Sequence, residues 1–162
     1  ASVDYMDYED GYIIPDLEMR KKVVRAIRKY RPQILVTCDP GNLFPSQQYI
    51  NHPDHRNVGQ VVVDAVFPAA GNRLFFPDLL EEGLKPHEVE EVWMSLTNAP
   101  DVTLDVTDHW DDKITALKCH ASQIGDPDAF EKHMLDRLQQ AENIDFKYEE
   151  RFRCINFRRK TE

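Results

Sequence analysis

Apolar residues first recur at helical spacing behind the breaker Pro15 and the capping residue Asp16: Met19, Val23, Val24, Ile27 and Tyr30 predict an amphipathic helix over 16–30. Arg31-Pro32 ends it, and Ile34 to Cys38 follows as a short, almost wholly apolar run. Such a run suits a strand buried on both faces of a parallel sheet. From Asp39 to Asn51 the chain turns to Pro, Gly, Asn, Ser and Gln, which is loop composition. Pro53 suits the first turn of a helix, where its missing N–H costs nothing, and Val58, Val61, Val62, Ala65 and Val66 continue it at i, i+3, i+4, i+7 and i+8.

Beyond Phe67-Pro68 the sequence reads as a connector from about Asn72 to Pro77 and a polar stretch from Glu81 to Glu90. Val92 to Leu96 and Val102 to Val106 read as strands, separated by Asn98-Ala99-Pro100-Asp101. One helix is expected from a cap at Thr107 or Asp108 through Trp110, Ile114 and Leu117 to about Gln123, stopping at Gly125. Another starts at Asp126-Pro127 with Phe130, Met134, Leu138 and Ala141 on one face, and Phe152 to Phe157 closes as a strand. There is no internal repeat and no convincing linker. Residues 1–162 read as a single domain.

Composition sharpens this picture by exclusion. With 41% hydrophobic and 10% aromatic residues, a chain of 162 residues can bury one core. Its net charge of −9 argues against nucleic acid, which needs clustered Lys and Arg. The one basic cluster, Arg151, Arg153, Arg158, Arg159 and Lys160, reads as a solvated edge. Cys38, Cys119 and Cys154 form no CxxC pair, so reduced, buried thiols in a cytoplasmic protein are expected. No apolar stretch approaches the roughly 20 residues that span a bilayer. The opening, Ala1 and then the acidic, Tyr-rich Asp4 to Asp10, reads as the interior of a longer protein.

Chemistry concentrates in Asn51-His52-Pro53-Asp54-His55-Arg56. This run lies at a loop-to-helix junction beyond the C-terminal end of a strand, where open α/β sheets bind ligands. Two histidines three apart can face one cleft, and imidazole is a common zinc ligand. A metal there would supply a nucleophile at neutral pH, while the second histidine would protonate a leaving amine or stabilise an oxyanion. Asp54 is placed to hold His52 in the right tautomer. The plainer alternative stays open, because HxxH arises by chance, Asp54 in a first turn also complements the helix dipole, and Pro53 also simply starts a helix.

Tyr49 and Asn51 flank the motif as candidates for substrate contact, although loop polarity explains them equally well. His109 reads as a helix-start residue, and His87 and His133 as solvated. Trp93, Trp110, Phe130 and Phe157 read as core.

The combination resembles the LmbE/PIG-L family of N-acetylglucosaminide deacetylases. Asp10-Gly11, Arg31-Pro32-Gln33-Ile34-Leu35-Val36, Asp39-Pro40, His52-Pro53-Asp54-His55-Arg56 and His120-Ala121-Ser122-Gln123 are similar to that family's motifs in the family's order, across nearly the whole chain. The resemblance implies a Rossmann-like, doubly wound α/β fold, with a mostly parallel sheet and helices on both faces. It implies a metal-dependent amide hydrolase that removes acetyl from an N-acetylated amino sugar or sugar conjugate. His55 would be a ligand of a catalytic Zn2+ or another divalent ion, and His52 with Asp54 would be the catalytic pair. His120 would contact substrate, with a surface or buried structural histidine as the equal alternative.

The family's other half-site, His-Pro-Asp-Asp after the first strand, occurs nowhere in these 162 residues. It would bring the remaining metal ligands and the general base, and catalytic zinc sites need three protein ligands. The expectation is therefore the C-terminal two-thirds of the family fold with N-terminal strands missing, inactive alone. Its apolar edges would favour swapping or a homo-oligomer. The rival is a non-catalytic domain of the same fold that binds a sugar or a protein partner.

Overall fold

A computed structural model of the chain describes residues 2–138 and 146–158, with backbone only at 137 and 138. The elements are α1 (Leu17–Tyr30), β1 (Ile34–Cys38), α2 (Pro53–Asp64), α3 (Asp78–Glu81), β2 (Glu91–Ser95), β3 (Val102–Asp105), α4 (Trp110–Lys118), α5 (Ala121–Ile124), α6 (Pro127–Leu138) and β4 (Glu149–Asn156). They form two compact units, Ala1–Asp101 with Phe152–Glu162, and Val102–Arg151.

In the first unit β1 pairs with β2 in parallel, Val36 opposite Trp93, and β2 pairs with β4 antiparallel, Trp93 opposite Cys154. The sheet is therefore mixed and open, and α1 and α2 supply its helical layer. Helix α1 begins as expected, because the Asp16 carboxylate accepts a 2.8 Å hydrogen bond from the Met19 N–H. Met19, Val23, Val24 and Ile27 are buried against Val61, Val62, Ala65, Leu79, Val92 and Met94. Each large side chain removed from water in this way contributes about 1.5–3 kcal/mol.

Two expectations differ from the structure here. Tyr30 is exposed, whereas Arg28 on the same helix is buried. Its Nε donates to the Ala70 carbonyl at 3.1 Å, and its Nη2 to those of Ala69 (3.1 Å), Asn72 (2.9 Å) and Phe75 (3.1 Å). A cation is tolerated inside because carbonyls replace its water. Burial still pushes its pKa down. Among the described residues strand β1 lies at the edge of the sheet and one of its faces is uncovered: Ile34 and Val36 are 48% and 61% exposed while Leu35 packs on the core.

Helix α2 passes into a wider π-type turn over Ala65–Ala70, broken where Phe67 is extended (φ −132°, ψ 124°), as residues before proline tend to be. The short α3 lies between the expected connector and the expected polar stretch. His87 is half-buried rather than fully solvated, and its Nε2 lies 2.7 Å from the Pro32 carbonyl. Phe157 is 44% exposed rather than core, whereas Trp93 rests on the ring of Phe152 at 5.6 Å between centroids.

In the second unit β3 lies beside the opening of β4, and the Val106 N–H donates to the Tyr148 carbonyl at 2.9 Å. Buried Trp110 stacks on Tyr148 at 4.4 Å. The helix expected over 107–123 is split. The Cys119 N–H turns back to Ala116 and Leu117, tightening the last turn of α4, and α5 restarts beyond His120 before Gly125 (φ +64°) stops it. Cys119 is exposed rather than buried, and all three cysteines are free. His109 and His133 are exposed, and Phe130 is half-buried. Ala141 of the expected helix face, and Arg159 and Lys160 of the basic cluster, lie outside the described residues. Among the described residues no helix is long and apolar enough to cross a membrane.

Candidate active site

The motif stands where β1 delivers the chain to α2. Helix α2 lies so close to the end of β1 that a Cβ built on Gly59 would meet the Cys38 carbonyl oxygen at 2.3 Å. Only glycine permits that approach, and it places the head of α2 beside the loop that leaves β1.

His52 is the N-cap of α2. Its Nδ1 accepts a 3.3 Å hydrogen bond from the Asp54 N–H. An imidazole that accepts at Nδ1 carries its proton on Nε2 when neutral, and that edge faces Asp10, 3.9 Å away. His55 follows on the first turn of α2, exposed, with its ring centroid 5.4 Å from that of His52. No hydrogen bond to the His55 ring is found among the described residues.

The Asp54 side chain corrects the sequence reading. Its carboxylate does not bond to His52 but accepts the backbone N–H groups of Gly11 (2.6 Å) and Ile13 (3.2 Å). Asn57 donates to the Ile13 carbonyl at 2.7 Å, so the segment before α1 is tied to the first two turns of α2. Asp54 is buried and its negative charge sits in the first turn, which favours the helix dipole as well. Gly11 turns the chain at φ +84°, which a side chain would resist, and this turn presents Asp10.

The sequence marked Asp10 only as part of a family-like Asp10-Gly11 pair and gave it no place in the site. The local signal was an Asp-Gly pair; the partner it finds is more than forty residues away. Asp10, His52 and Asp54 form a group able to hold a divalent metal ion, with one ligand atom from each lying within 4.8 Å of the others. Nitrogen and carboxylate oxygen are donors that zinc accepts. In this arrangement, however, His52 Nδ1 and both Asp54 oxygens already carry hydrogen bonds, and His55 holds the uncommitted ring.

The flanking candidates separate. Tyr49 is 57% exposed on the loop and free to meet a ligand. Asn51 is 2% exposed and braces the loop: its amide donates to the Asn42 carbonyl, its N–H to the Leu43 carbonyl, and its own carbonyl accepts from Arg56. His120 belongs to the second unit, where it is the exposed N-cap residue of α5.

Diacetylchitobiose deacetylase of Thermococcus kodakarensis is 35% identical over 118 residues, which are 73% of this chain and 42% of that protein. The solved N,N'-diacetylchitobiose deacetylase of Pyrococcus horikoshii, in complex with its inhibitor MPG, superposes with a TM-score of 0.80 at 26% identity, covering 93% of this chain and 56% of that one. GalB, the 4-carboxy-2-hydroxymuconate hydratase of Pseudomonas putida KT2440, shares the fold with a TM-score of 0.70 at 20% identity, over 99% of this chain and 67% of that one. The chain thus spans about half the length of the deacetylases it matches. A deacetylase and a hydratase on one fold leave function to the site residues. The model of the PIG-L family, GlcNAc-PI de-N-acetylase, matches residues 1–66. Through that stretch, which carries His52, Asp54 and His55, the chain belongs to the PIG-L, or LmbE-like, family.

Proposed function

We propose that residues 1–162 are a deacetylase domain carrying the His52-to-His55 part of the active site of a zinc-dependent hydrolase, which removes acetyl from an N-acetylated amino sugar or sugar conjugate. The observation that carries this reading is the pair of accessible imidazoles at the head of α2, 5.4 Å apart, just beyond the C-terminal end of a parallel strand. The likeness to two diacetylchitobiose deacetylases supports an acetylated amino sugar as the substrate class.

His55 is the residue here that would hold zinc, because its ring is exposed and uncommitted. Zinc, when bound, polarises the acetamide carbonyl and acidifies a water. His52 has a different task. With Nδ1 fixed by the helix, its Nε2–H points outward to donate to the oxygen that gains charge, or to the amine that leaves. Asp10 lies 3.9 Å from the same Nε2, beside the position where either group would be met. Asp54 acts through the backbone by holding the Asp10-Gly11 turn in place. Tyr49 offers an exposed ring and hydroxyl to the sugar.

The test uses the full chain that the gene encodes, loaded with zinc and given N,N'-diacetylchitobiose, following acetate release and bound zinc together. His55→Ala is expected to lose both. A His55→Ala protein that kept wild-type zinc and wild-type rate would overturn the assignment.

A further inference from the structure

Asn42 is 4% exposed and lies ten residues before His52 in a loop with no regular structure, yet every polar group of its side chain is used. Its Nδ2 donates to the Leu96 carbonyl at 2.5 Å, and its Oδ1 accepts from Asn98 Nδ2 at 2.8 Å. Asn98 also donates to the Phe44 carbonyl at 3.1 Å. Asn42 therefore ties the loop after β1 to the loop after β2. Its backbone carbonyl then accepts from Asn51 Nδ2 at 2.9 Å, and Asn51 is the residue before His52. The same junction is closed by the Asn51 N–H to the Leu43 carbonyl at 2.9 Å. At the root of both loops Asp39 accepts from Thr97 Oγ1 at 2.6 Å and from the Gly41 N–H at 2.8 Å.

A loop of this length would sample many conformations if its buried polar groups were not satisfied in one of them. We infer that Asn42 is a positioning residue for the His motif, acting through Asn51 to hold His52 at the N-cap of α2. The inference about position stands on geometry alone, and its catalytic consequence rests on the deacetylase reading above. The loop after β2, which carries no residue of the motif, thereby becomes part of the site's support.

The test records the ring nitrogens of His52 by 15N NMR in the labelled protein, beside thermal unfolding by circular dichroism. The wild type is expected to show one tautomer, protonated on Nε2. In Asn42→Ala the His52 signals are expected to move toward those of an averaged imidazole at temperatures where the protein is folded. Asn98→Ala, at an exposed position, is expected to move them in the same direction, and it keeps the inference testable should Asn42→Ala fail to fold. Val24→Ala, a core truncation in α1, is the control for simple destabilisation and should leave the signals in place. The inference is overturned if both asparagine variants keep the wild-type ring spectrum, or if Val24→Ala shifts it equally.

Acetate release from N,N'-diacetylchitobiose separates the two ideas. If positioning limits chemistry, Asn42→Ala should lower kcat about 10²-fold with little change in KM, as expected for a displacement of about 1 Å. Ring signals that respond as expected, in a zinc-loaded full chain encoded by the gene that releases no acetate, would retain the positioning role and reject the deacetylase reading.

Discussion

Replacing Gly59 by alanine sets two well-characterised effects against each other. Alanine is the better helix former in a helix interior by about 1 kcal/mol, so an unhindered site would gain stability. Here the new methyl carbon would lie 2.3 Å from the Cys38 carbonyl oxygen and 3.2 Å from Pro40 N, both of them backbone atoms that cannot swing aside. Separating the first contact to 3.0 Å, a distance real Cβ atoms essentially never undercut, requires α2 or the end of β1 to move by about 0.7 Å. Overpacking of this kind costs about 1–3 kcal/mol. Because the clash is with a strand end held in a parallel ladder, the upper part of that range applies, leaving a net loss of about 1–2 kcal/mol. For a chain of this size the loss lowers Tm by about 2–8 °C. His55 lies one helical turn upstream of position 59, so the displacement also reaches the site, where about 1 Å is worth about 10²-fold in rate. Thermal unfolding and acetate release on Gly59→Ala check both consequences. A variant that melts at or above the wild-type temperature would refute the reasoning, by showing that helix propensity outweighs the contact.

Asp54→Asn keeps the size of the side chain but turns an amide donor toward the N–H groups of Gly11 or Ile13. It should destabilise by about 1.5–3 kcal/mol, and limited proteolysis should cut the segment before α1 sooner than in the wild type; equal cleavage rates would show that the segment is held by other means. On the outer side of α1, Lys21 holds the Asp78 carboxyl below its ordinary range, and Arg25, bonded to Glu82 at 2.6 and 3.1 Å, does the same for Glu82. Carboxyls depressed in the folded state contribute stability above their unfolded pKa and lose it as pH falls through the folded value. The Tm gap between wild type and a Lys21→Met/Arg25→Met double variant should therefore be present at neutral pH and close below about pH 4, and a gap independent of pH would exclude these pairs as its source.

What the sequence disclosed depended on the distance over which each feature is decided. The start of α1 was legible because Asp16 and its recipient Met19 are three residues apart, and the start of α2 because Pro53 acts on its own turn. The His pair was legible for the same reason. The burial of β1 was not, since whether Ile34 and Val36 are covered depends on what lies beyond the strand, and an apolar run looks the same in both cases. Asp54 illustrates the limit at the site. Adjacency suggested His52 as its partner, but the carboxylate is spent on Gly11 and Ile13, more than forty residues earlier. Asn51 had the composition of a ligand-contacting loop residue and turned out to be scaffold, because its partners at Asn42 and Leu43 are fixed by a loop conformation that no local pattern encodes.

The Arg28 guanidinium has a consequence for how this protein can vary. The carbonyls it gathers, at Ala69, Ala70, Asn72 and Phe75, belong to a stretch with almost no regular structure, and every amino acid has a carbonyl. The shape of that stretch is thus held in large part by a side chain some forty residues away in α1. Exposed Arg73 and Leu74 are free to vary, while buried Ala69 and Ala70 answer to the core and the turn answers to one arginine codon elsewhere in the gene.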